Sequence, residues 1–401
     1  MNPGPGIAVG DPSPSFGGRE ARAFAALFAA TMVGLLAVGA LLPVLPFYVK
    51  GPLGGDDVLV GVVIGAYAIT GLAFRPVAGR FADLRGRKWA LIFGALLSAA
   101  AGAVLFLPLG LFAVLASRLL LGAGEGSVFT AGSAWVADMT PINRRARMIG
   151  LYGLAIWSGL TIGPTIGELL RSVGSYELVW AFVFAAPLVS VAIASLAPED
   201  YRPGGADPGE DSPTRRLISR EAVGPGVSMA LGSVGFAAMV SFIVLHLDAE
   251  GIGHGVLVFT VFAISLVLTR LVGGGLPDRL GARPVATIAA SLEALGLGLI
   301  AIGQGLPVIL LGAIVMGMAF SVLYPALSLI VLNRVSISSR GSAMGTFTAS
   351  FDLGVALGAP GIGVIVALGG YRAGFAFAAL LALVVASIQG WIAFSGARQL
   401  A

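Results

Sequence analysis

The sequence predicts an all-α membrane protein of twelve transmembrane helices, arranged as two parallel six-helix repeats. Three observations carry that reading. Of the 401 residues, 57% are hydrophobic and 11% charged, where soluble domains carry about 25% charged residues. Apolar runs long enough to cross a bilayer, about 20 residues each, recur along nearly the whole chain. The third observation is an internal repeat. The segment Arg75-Pro-Val-Ala-Gly79-Arg-Phe-Ala-Asp83-Leu-Arg-Gly86-Arg87-Lys88 returns 195 positions later as Arg270-Leu-Val-Gly-Gly274-Gly-Leu-Pro-Asp278-Arg-Leu-Gly281-Ala-Arg283. Gly122/Gly317, Arg145/Arg340, Gly150/Gly345, Gly159/Gly354, Gly163/Gly358 and Tyr176/Tyr371 keep the same offset without a gap. A period of that size means two halves built on one plan.

Taken in order, residues 1–21 are rich in Pro, Gly and Ser, with no basic residue before Arg19, and read as a disordered tail rather than a secretory signal. The first six helices fall at roughly 23–48, 58–79, 89–108, 111–137, 148–170 and 178–197. The second six fall at roughly 224–246, 255–275, 285–303, 307–331, 342–367 and 374–395. These give an N-terminal bundle over 22–197, a linker over 198–222 and a C-terminal bundle over 223–401. Basic residues in short loops set orientation. Of the 24 Lys and Arg, eighteen lie on one side, three on the other (Lys50, Arg171, Arg372) and three inside helices (Arg75, Arg118, Arg270). Both termini are therefore expected in the cytoplasm. Parallel six-helix repeats are related by an axis along the membrane normal, which places a substrate site between the halves near mid-bilayer.

The repeated loop has a physical use. Gly79 allows close helix packing, and Gly86 can take a positive φ in a tight turn. Asp83, and Asp278 in the second copy, sit where a carboxylate can cap a helix or pair with an arginine. Asp83, Arg87, Asp138 and Arg145 are the expected members of a latch on the cytoplasmic side. On predicted helix 5, Gly159, Gly163 and Gly167 line one face with bare backbone, and Pro164 removes a backbone hydrogen bond. That face is expected between the two halves.

On these residues the chain resembles the major facilitator superfamily over nearly its whole length. The paired Gly-x-x-x-Asp-x-x-Gly-Arg loop is that family's most characteristic signature. Arg118-x-x-x-Gly122-x-Gly124-x-Gly126 resembles the arginine-and-glycine motif of its fourth helix. Gly159-Leu-Thr-Ile-Gly163-Pro164-Thr-Ile-Gly167 resembles the fifth-helix motif of its antiporters, with Glu168 standing where that motif ends in glycine. The resemblance implies the major facilitator fold and favours proton-coupled efflux, in the manner of twelve-helix drug/proton antiporters. It also makes Arg118 a candidate for linking proton and substrate occupancy.

A charge within the bilayer is costly unless paired or wetted, which singles out a few residues. Arg118 and Glu125 stand two turns apart on nearly one face of predicted helix 4, either as a proton-coupling pair or as a structural one. Asp352 is a second candidate proton carrier, or a structural partner of Arg75 or Arg270. Those two arginines either snorkel to the surface or bind an anionic substrate. Glu293 is expected to act locally, and His246 and His254 to lie at the outer surface without a role. Phe47, Tyr48, Tyr67, Trp135, Tyr152, Trp157 and Tyr324 are cavity candidates, with Tyr48, Trp157 and Tyr324 the expected substrate contacts, while Trp180 and Trp391 read as belt residues.

The functional expectation is a secondary transporter, not an enzyme. It uses the proton gradient and no cofactor or metal, since neither a nucleotide loop nor a His/Glu metal constellation appears. Its partners are protons, a small lipophilic substrate and the lipid bilayer, not nucleic acid, and a monomer suffices. The competing expectations are a transporter of a specific metabolite, such as a sugar, an amino acid or an organic anion, and a lipid translocator.

Overall fold

The computed structural model describes residues 18–141, 144–198, 219–273, 275–336 and 339–398. They form α1 (Gly18–Lys50), α2 (Asp57–Arg85), α3 (Arg87–Val104), α4 (Leu111–Met139), α5 (Arg145–Val173) and α6 (Tyr176–Leu196). The second half holds α7 (Arg220–Ala249), α8 (Gly255–Gly273), α9 (Leu276–Leu280), α10 (Ala282–Ile302), α11 (Leu306–Leu332) and α12 (Arg340–Arg398). Eleven of these helices are long and apolar enough to cross a membrane. α12 makes two crossings, broken at Gly370 with φ +78°. Before the break Ser350 faces Gly226 near the start of α7; beyond it Tyr371 packs on Phe242 and His246 near the end of α7. Gln389 then donates to Ser228, back near the start of α7, at 2.9 Å. α12 is therefore a hairpin with its apex at Gly370, and twelve crossings result.

Boundaries differ from expectation where the repeated loop lies. α2 runs on to Arg85 and stops because Gly86 turns with φ +105°; Gly281 repeats the turn with φ +91°. Glycine reaches that backbone region without a steric penalty. In the second copy Pro277, which lacks an N–H, opens the separate short helix α9; Gly274 lies outside the described residues. α1 begins inside the stretch read as a tail, and α7 inside the expected linker. Residues 1–17 and 199–218 lie outside the described residues.

The two halves are wired alike. α4 packs on α2 and α3, α1 on α5 and α6, and α3 on α6; correspondingly α11 packs on α8 and α10, α7 on both legs of α12, and α10 on α12. Across the halves α2 meets α12, α5 meets α8, and α1 meets α7. The end holding the Gly86 and Gly281 turns is called here the basic end, and the opposite one the far end. At the far end Tyr371 donates to Asp57 across the halves at 3.1 Å, and Thr165 and Thr260 share a hydrogen bond of 3.3 Å. Arg372 makes two bonds to Glu250 there, at 2.8 and 2.7 Å, and holds its carboxyl below the usual range. Towards the basic end, Gly150 of α5 and its copy Gly345 of α12 face open space.

The glycine face of α5 is not between the halves. A Cβ on Gly159 would lie 2.7 Å from Met32 O, and one on Gly163 2.7 Å from Leu36 O and Gly39 Cα, all on α1. Gly167 abuts Ala40 in the same way. The small residues are spent on seating α5 against α1 of its own half. The cross-half face of α5 carries Trp157 and Thr165 instead. In the second half the proline stands one place later in the repeat, at 360 where the copy of Pro164 is Ala359, and it lies at the cross-half interface, where Pro360 packs on Gly61 and Gly65 of α2.

Candidate functional site: matched contacts across the halves

Arg75 stands ten residues before the end of α2 at Arg85, about 15 Å along the helix. It does not snorkel. Its Nη1 lies 3.0 Å from Asp352 Oδ2 of α12, and its Nη2 donates to Oδ1 at 3.3 Å. The guanidinium also sits 5.4 Å from the centre of the Phe129 ring. Arg270, its copy on α8, reaches across in the opposite direction. Its guanidinium lies 5.7 Å from the Trp157 ring centre on α5, and it donates to Ser321 O at 3.0 Å. Trp157 is itself the copy of Asp352. One pair of repeat positions thus makes two cross-half contacts, an ion pair in one direction and a cation–π contact in the other.

Beside them is an aromatic layer. Trp157 meets Phe236 and Phe320 edge-on at 6.3 and 6.4 Å between centroids; those two stack at 5.2 Å, with Phe351 6.1 and 6.2 Å away. The Tyr324 hydroxyl bonds Thr348 at 3.1 Å next to the Phe347 ring. Sequence reasoning found Trp157 and Tyr324 but missed Phe236, Phe320 and Phe351. Phe320 was within reach, as the repeat copy of Glu125.

Arg118 and Glu125 do not pair. Helix side chains lean towards the N-terminus, so Arg118 leans away from a residue two turns ahead. Its guanidinium instead donates to Val63 O at 3.2 Å and Ile64 O at 3.3 Å on α2, and covers the Tyr67 ring at 4.8 Å. Glu125, 6% exposed, accepts from Ser98 of α3 at 3.4 Å. Both are buried inside the first half, off the cross-half contacts.

At the basic end Arg87 joins Asp83 and Asp138, bonding the latter at 2.9 Å, while Gly79 faces Thr130. The Arg145 side chain lies outside the described residues. Asp278 is exposed on α9.

The repeat, the paired loop turns and the shared wiring of the two bundles fit one family. The sequence model of the Major Facilitator Superfamily matches residues 27–257 and 226–396. The chain belongs to that superfamily. This major facilitator protein is an integral membrane transporter by family. It is 33% identical over 362 residues to an uncharacterized MFS-type transporter of Pseudomonas aeruginosa, covering 88% of this chain and 89% of the relative. It is 28% identical over 343 residues to the uncharacterized MFS-type transporter YhhS of Escherichia coli, covering 84% of each. Among solved structures, the human organic anion transporter MFSD10 (TETRAN) matches with TM-score 0.71 and 22% identity, over 92% of this chain and 99% of that one. A POT family transporter matches with TM-score 0.78 and 13% identity, over 94% and 96%.

Several aromatics of this facilitator take places other than those expected. Tyr48 is not at the cross-half contacts; it packs on Tyr176 and Trp180 at 4.9 and 5.2 Å, because α1 and α6 meet at the far end. Trp180 is thereby 3% exposed rather than a belt residue, whereas Trp391 is 74% exposed. Tyr152 is buried and bonded to Thr31 at 2.9 Å, Trp135 is core, and Phe47 lies under Arg171 at 4.8 Å. His246 is fully buried beside Ile300 O at 3.4 Å. Glu168 pairs with Arg171 at 2.6 Å.

Proposed function

We propose that this protein is a proton-coupled exporter of small lipophilic molecules, working by alternating access. The observation that supports it is the ion pair between Arg75 and Asp352, set across the halves beside the aromatic layer of Trp157, Phe236, Phe320 and Phe351. A proton and Arg75 compete for one carboxylate. With Asp352 ionised, the pair ties α2 to α12 and favours the arrangement closed at the far end. A substrate that enters between the halves and displaces Arg75 frees the far end to open. A proton taken up by Asp352 from that side then keeps Arg75 away while the substrate leaves, and its release on the other side restores the pair. Glu125, bonded to Ser98, is in this reading the second proton-carrying carboxylate, and Arg118 ties α4 to α2 so that the two move together.

By the distribution of its arginines, the basic end and both termini belong in the cytoplasm and the protein in the bacterial cytoplasmic membrane. The triad Asp83, Arg87 and Asp138 would then hold the cytoplasmic ends of α2, α3 and α4 as one latch. The gradient is the energy source, and a monomer suffices.

The test is efflux of a lipophilic cationic dye from proteoliposomes under an imposed pH gradient. Gradient-driven movement is expected in the wild type, lost in Asp352→Asn and reduced in Glu125→Gln. Movement that ignores the gradient and survives both changes would remove proton coupling from the account. A second reading, export of an organic anion, is favoured by Arg270, which has no carboxylate partner among the described residues. Loss of anion transport in Arg270→Gln, with dye transport absent throughout, would select it.

A further inference from the structure

The two halves differ in charge at the basic ends of their third and fourth helices. In the first half Arg87, Lys88, Trp89, Trp135, Asp138 and Met139 gather there. Arg87 fills the space, joined to Asp138 at 2.9 Å and to Asp83, and Trp135 is 4% exposed. Adding 195 to each number gives Ala282, Arg283, Pro284, Ile330, Asn333 and Arg334. Those six residues line a cavity of about 400 Å³ between the start of α10 and the end of α11. Arg87 and the buried Trp135 of the first half are replaced here by the smaller Ala282 and Ile330.

The charge has changed with the shape. The arginine and the aspartate of the first-half ion pair are both gone, as Ala282 and Asn333. The lysine became Arg283, and its anchoring is weaker. Lys88 donates to Ala197 O at 3.0 Å and to Ser195 O, whereas Arg283 donates to Ile392 O, the copy of Ala197 O, at 3.4 Å. A new cation, Arg334, stands where the first half has Met139, and it lines the same recess as Arg283. No acidic side chain lines the cavity among the described residues. Two like charges facing one recess, with no counter-charge among the described residues, repel each other unless an anion is bound between them.

We infer that this recess is a binding site for a phosphate group, held by Arg283 and Arg334 with the Asn333 amide as a further donor. Guanidinium groups match phosphate oxygens in pairs, and basic recesses between membrane helices at the cytoplasmic surface take lipid headgroups. The surroundings favour an anionic phospholipid over a soluble ion. From Pro284 of the recess an exposed face of α10 runs into the bilayer through Ile288 and Leu295, 57% and 52% exposed, a track for an acyl chain. The site does not depend on the transport cycle proposed above.

The test is native mass spectrometry of the intact protein released from micelles doped with phosphatidylglycerol, paired with thermal unfolding in the same lipid. Two variants are compared with the wild type: Arg334→Gln, and the double change Ala282→Arg with Asn333→Asp. The second rebuilds the first-half ion pair inside the recess and keeps the fold testable should the single change destabilise. One tightly held phosphatidylglycerol is expected on the wild type, bound roughly tenfold or more weakly in either variant, with lipid-dependent stabilisation lost in parallel. Inorganic phosphate alone forms the second arm. Stabilisation of the wild type by phosphate, absent in both variants and unaffected by lipid, would keep the phosphate site and assign it to a soluble ion. Equal lipid and phosphate binding by all three proteins would overturn the inference.

Discussion

Glu293 on α10 is fully buried, and neither of its carboxylate oxygens has a hydrogen-bond partner among the described residues. It lies against Gly232 and Gly235 of α7, where a Cβ on Gly235 would come within 2.6 Å of Oε1. Its repeat copy is Ser98, the residue that bonds Glu125, and the copy of Glu125 is Phe320. Each half therefore has a buried carboxylate at one member of this set of repeat positions, on α4 in the first half and on α10 in the second. Only the one in the first half is bonded. A buried polar group without a partner costs roughly 1–3 kcal/mol, so Glu293→Met is expected to raise the unfolding temperature in detergent and leave transport intact. A lower unfolding temperature would mean that the carboxylate is bonded in the native protein. The sequence suggested a local role for Glu293 but not its isolation, because a partner on another helix leaves no trace in spacing along one. The same limit explains Arg118. Its distance from Glu125 in sequence was clear, but the nearer carbonyls of Val63 and Ile64 became visible only once α2 lay beside α4.

At the scale of elements, glycine spacing announced that α5 has a bare face but could not say which neighbour uses it. That neighbour is α1, whose own Gly39 completes the contact. Since both sides are already glycine at Gly163 and Gly39, no smaller residue exists to relieve an added side chain. Gly163→Val should cost about 1–3 kcal/mol and lower the unfolding temperature, while Gly153→Ala, whose Cβ meets nothing within 4 Å, should leave it nearly unchanged. Equal effects at the two sites would argue against seating of α5 on α1. The loop turns were readable in advance, since Gly86 and Gly281 recur in register and both need positive φ. Splitting of the second copy into α8 and α9 was less so, although Pro277 in place of Ala82 gave a signal. Tyr48 was misplaced because an aromatic near a helix end looks the same from sequence whether it faces the centre of its bundle or the neighbour at the rim.

For the whole molecule, the 195-residue repeat carried most of what could be known beforehand: twelve crossings, parallel halves, and paired positions whose differences mark where the symmetry is broken. Asp352 against Trp157 is the break within the cross-half contacts, and the Arg87 and Asp138 positions are the break at the basic end. The pairing of Arg75 with Asp352 remained one of several options until the halves were seen together. In the proposed cycle this pair sets which end is open. The chain contains no cysteine, so spin labels can be placed without removing any. Gly150→Cys on α5 and Gly345→Cys on α12 put two labels at positions facing open space, where the distance between them reports the opening of the basic end. In liposomes a long distance is expected in mildly alkaline buffer, shortening in acid, and a short distance at both pH values once Asp352→Asn is added. An acid-induced shortening of the same size in the Asp352→Asn background, or a distance that never responds to pH, would contradict it.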